Sequence, residues 1–130
     1  MRTTNKGACG TSYFGVTFRA TPDQLLDVLG EPGFHNNSGR DKVNFDWQLE
    51  TAGGKVFTVY DWKEYRPLLP DEEICWHVGG FNREDCEVGM REVLNALMDI
   101  GACHGQPPRL QDRRKGILPE VLGRPIRPAP

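Results

Sequence analysis

Apolar and polar residues alternate along several stretches of the chain. Phe14, Val16 and Phe18 recur at period two within residues 12–19, which predicts a strand with one buried face. Val43, Phe45, Trp47 and Leu49 interleave with Asn44, Asp46, Gln48 and Glu50, the cleanest half-buried strand in the sequence. Thr51-Ala52-Gly53-Gly54-Lys55 turns the chain, and Val56-Phe57-Thr58-Val59-Tyr60 brings it back, which predicts a hairpin. Ile74-Cys75-Trp76-His77-Val78 predicts another strand, ended by Gly79-Gly80.

Two segments switch to helical spacing. Thr21 can cap a helix, Pro22 suits its first turn and Gln24 completes a capping box. Leu25, Leu26, Val28 and Leu29 form its apolar side, and Gly30 followed by Pro32 ends it. From Arg83 to Ile100, Cys86, Met90, Val93, Leu94, Leu97 and Met98 recur at helical spacing, with Asn82 as the cap and Gly101 as the stop. The order strand, helix, three strands, helix predicts an α+β fold. A small antiparallel sheet of about four strands carries both helices on one face.

Charge divides the chain further. Residues 1–100 hold 10 Lys and Arg against 16 Asp and Glu, a net of −6, while residues 101–130 hold 6 against 2, a net of +4. Six of the 10 prolines fall in that second part. The expected organisation is a flexible leader over 1–11, an α+β domain over 12–101 and a basic Pro/Arg-rich tail over 102–130. A working domain of about 95 residues buries a thin core, which favours oligomerisation. The overall charge of −2 argues against a protein that embraces nucleic acid. No stretch approaches the roughly 20 apolar residues of a membrane span. The polar start is not expected to be a secretory signal. Cys9, Cys75, Cys86 and Cys103 are widely spaced and are expected to be reduced thiols. They form no Cys-x-x-Cys knuckle, so neither a metal nor a cofactor is predicted.

Candidate chemistry gathers at three places. The first is Trp76 to Asn82. Gly79 and Gly80 let a ligand approach the backbone, and a helix amino end follows that favours an anion. Trp76 and Phe81 offer flat surfaces, and His77 and Asn82 offer hydrogen bonds. A tight turn with a plain cap would use the same residues. The second is Tyr60-Asp61-Trp62-Lys63-Glu64-Tyr65-Arg66, where rings and cations alternate at a strand end, as stacking on a base beside phosphate requires. An amphipathic strand end with Trp62 covering the core edge fits equally. The third is the polar loop from Phe34 to Lys42, cationic at Arg40 and Lys42, which reads as a solvated connection before it reads as a lid. Catalysis has little support. Cys75 and His77 share a strand face as a nucleophile–base pair would, but no third orienting group is evident.

Several of these residues also carry a resemblance. Tyr60-Asp61-Trp62-Lys63, followed after about a dozen residues by Trp76-His77-Val78-Gly79-Gly80, resembles the Thoeris anti-defence family of small phage proteins. The earlier Leu29-Gly30-Glu31-Pro32 and the Lys42-Val43 to Trp47 strand match as well. The resemblance spans about residues 12–100. It implies a homo-oligomer that sequesters a nucleotide immune signal without chemistry, in the cytoplasm of the infected bacterium. The signal would be a cyclic ADP-ribose isomer or a cyclic oligonucleotide. Matched onto this sequence, the ligand would lie beside Trp62, Lys63, His77, Gly79, Gly80, Phe81 and Asn82. Two other readings remain open: an acidic inhibitor that binds a host defence or nucleic-acid enzyme, and a hydrolase or transferase using Cys75 or His77.

Overall fold

A computed structural model describes residues 1–104 and 110–111. The predicted basic tail lies for the most part outside the described residues. The fold is α+β: an antiparallel sheet with two helices. The elements are β1 (Arg2–Thr3), β2 (Ser12–Ala20), α1 (Pro22–Leu29), β3 (Phe34–His35), β4 (Phe45–Glu50), β5 (Val56–Tyr60), β6 (Ile74–Gly80), α2 (Arg83–His104) and β7 (Leu110–Gln111). The strands lie in the order β1-β4-β5-β6-β2-β7, and β3 also pairs with β4.

The alternation works as the pattern predicts from Val16 onward, but Phe14 is exposed, because a register shift between Tyr13 and Val16 takes it out of the buried row. Phe18, Trp47, Phe57, Val59, Trp76 and Val78 point to one side of the sheet and are fully buried with Leu25, Val93, Leu94 and Leu97 of the helices. Both core indoles find acceptors: Trp47 Nε1 donates to the Gly30 carbonyl at 2.9 Å and Trp76 Nε1 to that of Ala20 at 2.8 Å. A Cβ on Gly89 would stand 2.4 Å from the Phe57 ring. This one helical glycine lets α2 lie close on the sheet. The capping box of α1 forms as read. Gln24 N donates to Thr21 Oγ1 at 3.1 Å, and Thr21 N donates to Gln24 Oε1 at 2.9 Å.

Five expectations need correction. The leader is not free: β1 pairs with β4, and the Glu50 carboxylate accepts from Arg2 Nη2 at 2.7 Å and Thr4 Oγ1 at 2.7 Å. The Thr4 hydroxyl and then Arg2 hold that carboxyl below the usual range. The loop after α1 contains β3, because the outer edge of β4 leaves backbone groups that another segment satisfies. With β1, β3 and β7 added, the sheet has seven strands among the described residues, where about four were expected. Gly79 and Gly80 continue β6 instead of ending it, opposite Thr58 and Phe57 of β5. Finally, α2 runs through Gly101 to His104. A helical glycine costs only about 1 kcal/mol, too little to stop a 22-residue helix packed along a sheet.

Candidate functional site: an aromatic and cationic platform

The helices cover one side of the sheet. On the other side, register lines up one residue from each neighbouring strand: Phe34, Asp46, Tyr60, His77 and Thr17. The His77 ring stands between two tyrosines. Tyr13 meets it edge-on at 4.6 Å between centroids, and Tyr60 stacks on it at 5.6 Å with 20° between planes. Burial first, then the Tyr13 and Asp46 groups, pushes the Tyr60 phenol up to about 12. Tyr60 thus presents a neutral hydroxyl across the physiological range.

Beyond Tyr60 the chain leaves the sheet on a firmly anchored loop. Asp61 is fully buried. Its carboxylate accepts from Asn44 N and Phe45 N, both at 2.8 Å, and from Asn44 Nδ2 at 3.0 Å. Asn44 in turn donates to the Arg66 carbonyl at 3.1 Å and accepts from Gly39 N at 3.0 Å. Gly39 has a φ of 79°, and a Cβ there would stand 2.6 Å from Arg66 Cα. Asn37 closes the lacing by exchanging two hydrogen bonds with the Leu68 backbone. The loop from Phe34 to Lys42, the weaker candidate for a lid, is therefore tied to residues 61–68.

This anchoring presents Trp62. Its ring is 40% exposed, with Lys63 Nζ at 5.5 Å and Lys42 Nζ at 5.9 Å from the ring centroid. The Tyr60 ring meets it edge-on at 6.0 Å. Lys63 and Tyr65 hold φ values of 56° and 53°, a conformation costly for residues with side chains. The Lys63 N–H donates to the Lys42 carbonyl at 2.7 Å, which fixes the two lysine backbones side by side. Two ammonium groups and a flat ring at one place can receive an aromatic group that bears an anion.

The predicted site residues divide between this platform and the rest of the fold. Trp62, Lys63, His77 and Gly79 gather on the helix-free side. A Cβ on Gly79 would stand 2.7 Å from Thr58 Oγ1 and 3.6 Å from Tyr60 Cε1, so the glycine serves packing between strands. Gly80 belongs to the opposite side, where a Cβ would stand 2.9 Å from Cys86 Sγ. Asn82 caps α2, its Oδ1 accepting from Asp85 N at 2.8 Å. Phe81 is 48% exposed and lies against Gly10, apart from the Trp62 loop in sequence and strand position. Trp76 is not a surface for stacking: it is a core side chain. The expectation of an open glycine loop before α2 gives way to a strand that runs directly to a capped helix.

Cys75 and His77 share a face of β6 as expected, on the side away from the helices. Cys9 and Cys86 are free thiols. Burial, and then Asp85, pushes the Cys86 thiol up to about 11. Asp46 and Tyr13 also belong to this surface, and residue type alone does not point to them. Asp46 and Tyr13 are signalled only by register, because their neighbours come from other strands. Among the described residues, no helix is long and apolar enough to cross a membrane. No known protein family, curated protein or solved structure matches this chain.

Proposed function

We propose that this chain is a phage-encoded anti-defence protein. It binds a nucleotide-derived immune signal in the cytoplasm of the infected bacterium and sequesters it without cleaving it. The signal is a cyclic ADP-ribose isomer or a cyclic oligonucleotide, and the working form is a homo-oligomer. The observation that carries this reading is the Trp62 ring, exposed on a strained loop and flanked by Lys42 and Lys63. A base stacks on the ring, and a phosphate meets the ammonium groups. The motif resemblance supports the same reading. Its two halves, far apart in sequence, are neighbours in space, since Tyr60 pairs with His77 across β5 and β6.

The platform offers one side only of a binding site. A ligand resting on Trp62 keeps its far face in water, and small-molecule sites bury most of their ligand. A second copy closing over the ring supplies the missing wall. Sequestration by a protein at micromolar levels needs about −10 to −12 kcal/mol of binding free energy. Native mass spectrometry on protein purified from cells that make the signal tests this directly. The expected spectrum is an oligomer carrying intact nucleotide, which is released unchanged on denaturation. A cleaved product would make the protein an enzyme. A stable complex with a host protein and no nucleotide would favour the inhibitor reading.

A further inference from the structure

The outer edge of β4 is covered by two short strands that do not meet. β1 pairs with Leu49 and Glu50, and β3 pairs with Phe45 and Asp46. Between them opens a pocket of about 360 Å³, lined by Thr3, Thr4, Glu31, Phe34, Asp46 and Gln48 among others. That volume lies within the range of small-molecule sites, roughly 300–1,000 Å³. Its lining is one-sided in charge. Its lining residues carry two carboxylates, an amide and two hydroxyls, the Thr4 hydroxyl donating to Glu50, and among the described residues no lysine or arginine lines it.

One acceptor here is left without a donor. Asp46 Oδ1 is sealed from water and has no hydrogen-bond partner. Burial, and then the Asp61 carboxylate, pushes the Asp46 carboxyl up to about 6. Buried acceptors are nearly always satisfied, because an unmet one carries its full desolvation cost. Glu31 and Asp46 line one pocket, and two carboxylates there favour a ligand with positive charge. Phe34, 42% exposed at the rim, offers a ring face to a planar cation. Among the described residues, no three His, Cys, Asp or Glu side chains converge as metal ligands do, which favours an organic cation.

We propose that the pocket between β1 and β3 is a second binding site, for a small organic cation rich in N–H donors, a guanidinium above all. Asp46 receives its N–H groups, Glu31 and Gln48 complete the acceptor set, and Phe34 stacks on its plane. Asp46 and Phe34 also belong to the helix-free face, but the proposal uses neither Trp62 nor the two lysines beside it.

Agmatine, which carries a guanidinium and an ammonium, is the probe. Titrated into the full chain and followed by nuclear magnetic resonance, it is expected to shift Phe34 and Gln48 saturably. Asp46→Asn keeps the shape and removes the charge, and should weaken binding at least tenfold. Phe34→Ala should weaken it severalfold. Putrescine, with ammonium groups only, should bind more weakly than agmatine. Trp62→Ala should leave agmatine binding unchanged, so this site and the nucleotide platform fail or succeed separately. Shifts spread over the acidic surface without saturation would overturn the proposal. So would an Asp46→Asn protein, shown to be folded by its melting curve, that binds agmatine as well as the wild type does.

Discussion

On the helix side of the sheet, Phe18, Trp47, Phe57, Trp76 and Val78 lose all contact with water, and both indole N–H groups reach a carbonyl. On the opposite side, Tyr13 and Trp62 remain exposed, a carboxylate oxygen of Asp46 has no donor, and Lys63 and Tyr65 hold left-handed backbone angles. The first side satisfies every rule of packing; the second breaks several within a short distance. Backbone strain, exposed rings and an unmet acceptor all cost stability. A small domain carries such costs where they serve binding. Residues on the covered side hold the fold, and those on the open side are the ones we propose bind a ligand.

The largest effect expected is on the covered side. Trp76→Ala removes a fully buried indole and should cost about 3–5 kcal/mol, much of the stability of a small domain. A denaturant titration would measure it, and a loss below about 1 kcal/mol would deny Trp76 its place in the core. Next is Asp61→Ala. It strands the Asn44 and Phe45 N–H groups and should cost about 2–4 kcal/mol. The Trp62 loop loses its anchor at the same time, so ligand binding should fall by more than stability explains.

Asp46→Asn should act with the opposite sign. The Asp46 carboxyl titrates at about 6 in the folded chain against an ordinary 3.8. A raised carboxyl contributes most below its unfolded pKa, under about pH 4, and that contribution is lost as pH rises through about 6. Asparagine has no charge to lose. At pH 7 the variant should be more stable by about 1–2 kcal/mol, after allowance for the solvent that reaches this half-buried group. The difference should shrink toward zero below pH 4. Melting curves of both proteins across this range would check it. The smallest structural effect should be that of Trp62→Ala, within about 0.5 kcal/mol, although binding at the platform should be lost.

Much of the fold was legible because alternation and caps are local signals. The strands from Val16, Phe45, Val56 and Ile74 and the Thr21–Gln24 box all follow from neighbours in sequence. β1 and β3 were not legible: each is two residues long and exists because the edge of β4 is there to pair with. Gly79 and Gly80 read as a stop, yet they continue β6 because Thr58 and Cys86 occupy the space their side chains would take. In the candidate site, Trp62, Lys63 and His77 were legible from residue type and position at strand ends. Asp61 was not, since an acid between two aromatic residues reads as solvated. Its burial depends on backbone donors 16 and 17 residues earlier. By residue type Trp76 reads as a flat binding surface, although its alternation with Cys75 and His77 sets it on the other side.

In the function proposed above, the helix-free side holds an aromatic anion at Trp62. Of the three tryptophans, Trp47 and Trp76 are fully buried and Trp62 is exposed, so fluorescence quenching by solutes in water reports mainly on Trp62. The decisive measurement is a fluorescence titration of the full chain with cyclic ADP-ribose isomers and cyclic oligonucleotides. One of these should protect Trp62 from acrylamide at micromolar concentration or below, and Lys63→Ala should abolish that protection while the melting temperature stays within a few degrees. If Trp62 remains equally quenchable with every nucleotide, or if protection survives Lys63→Ala unchanged, the account is contradicted.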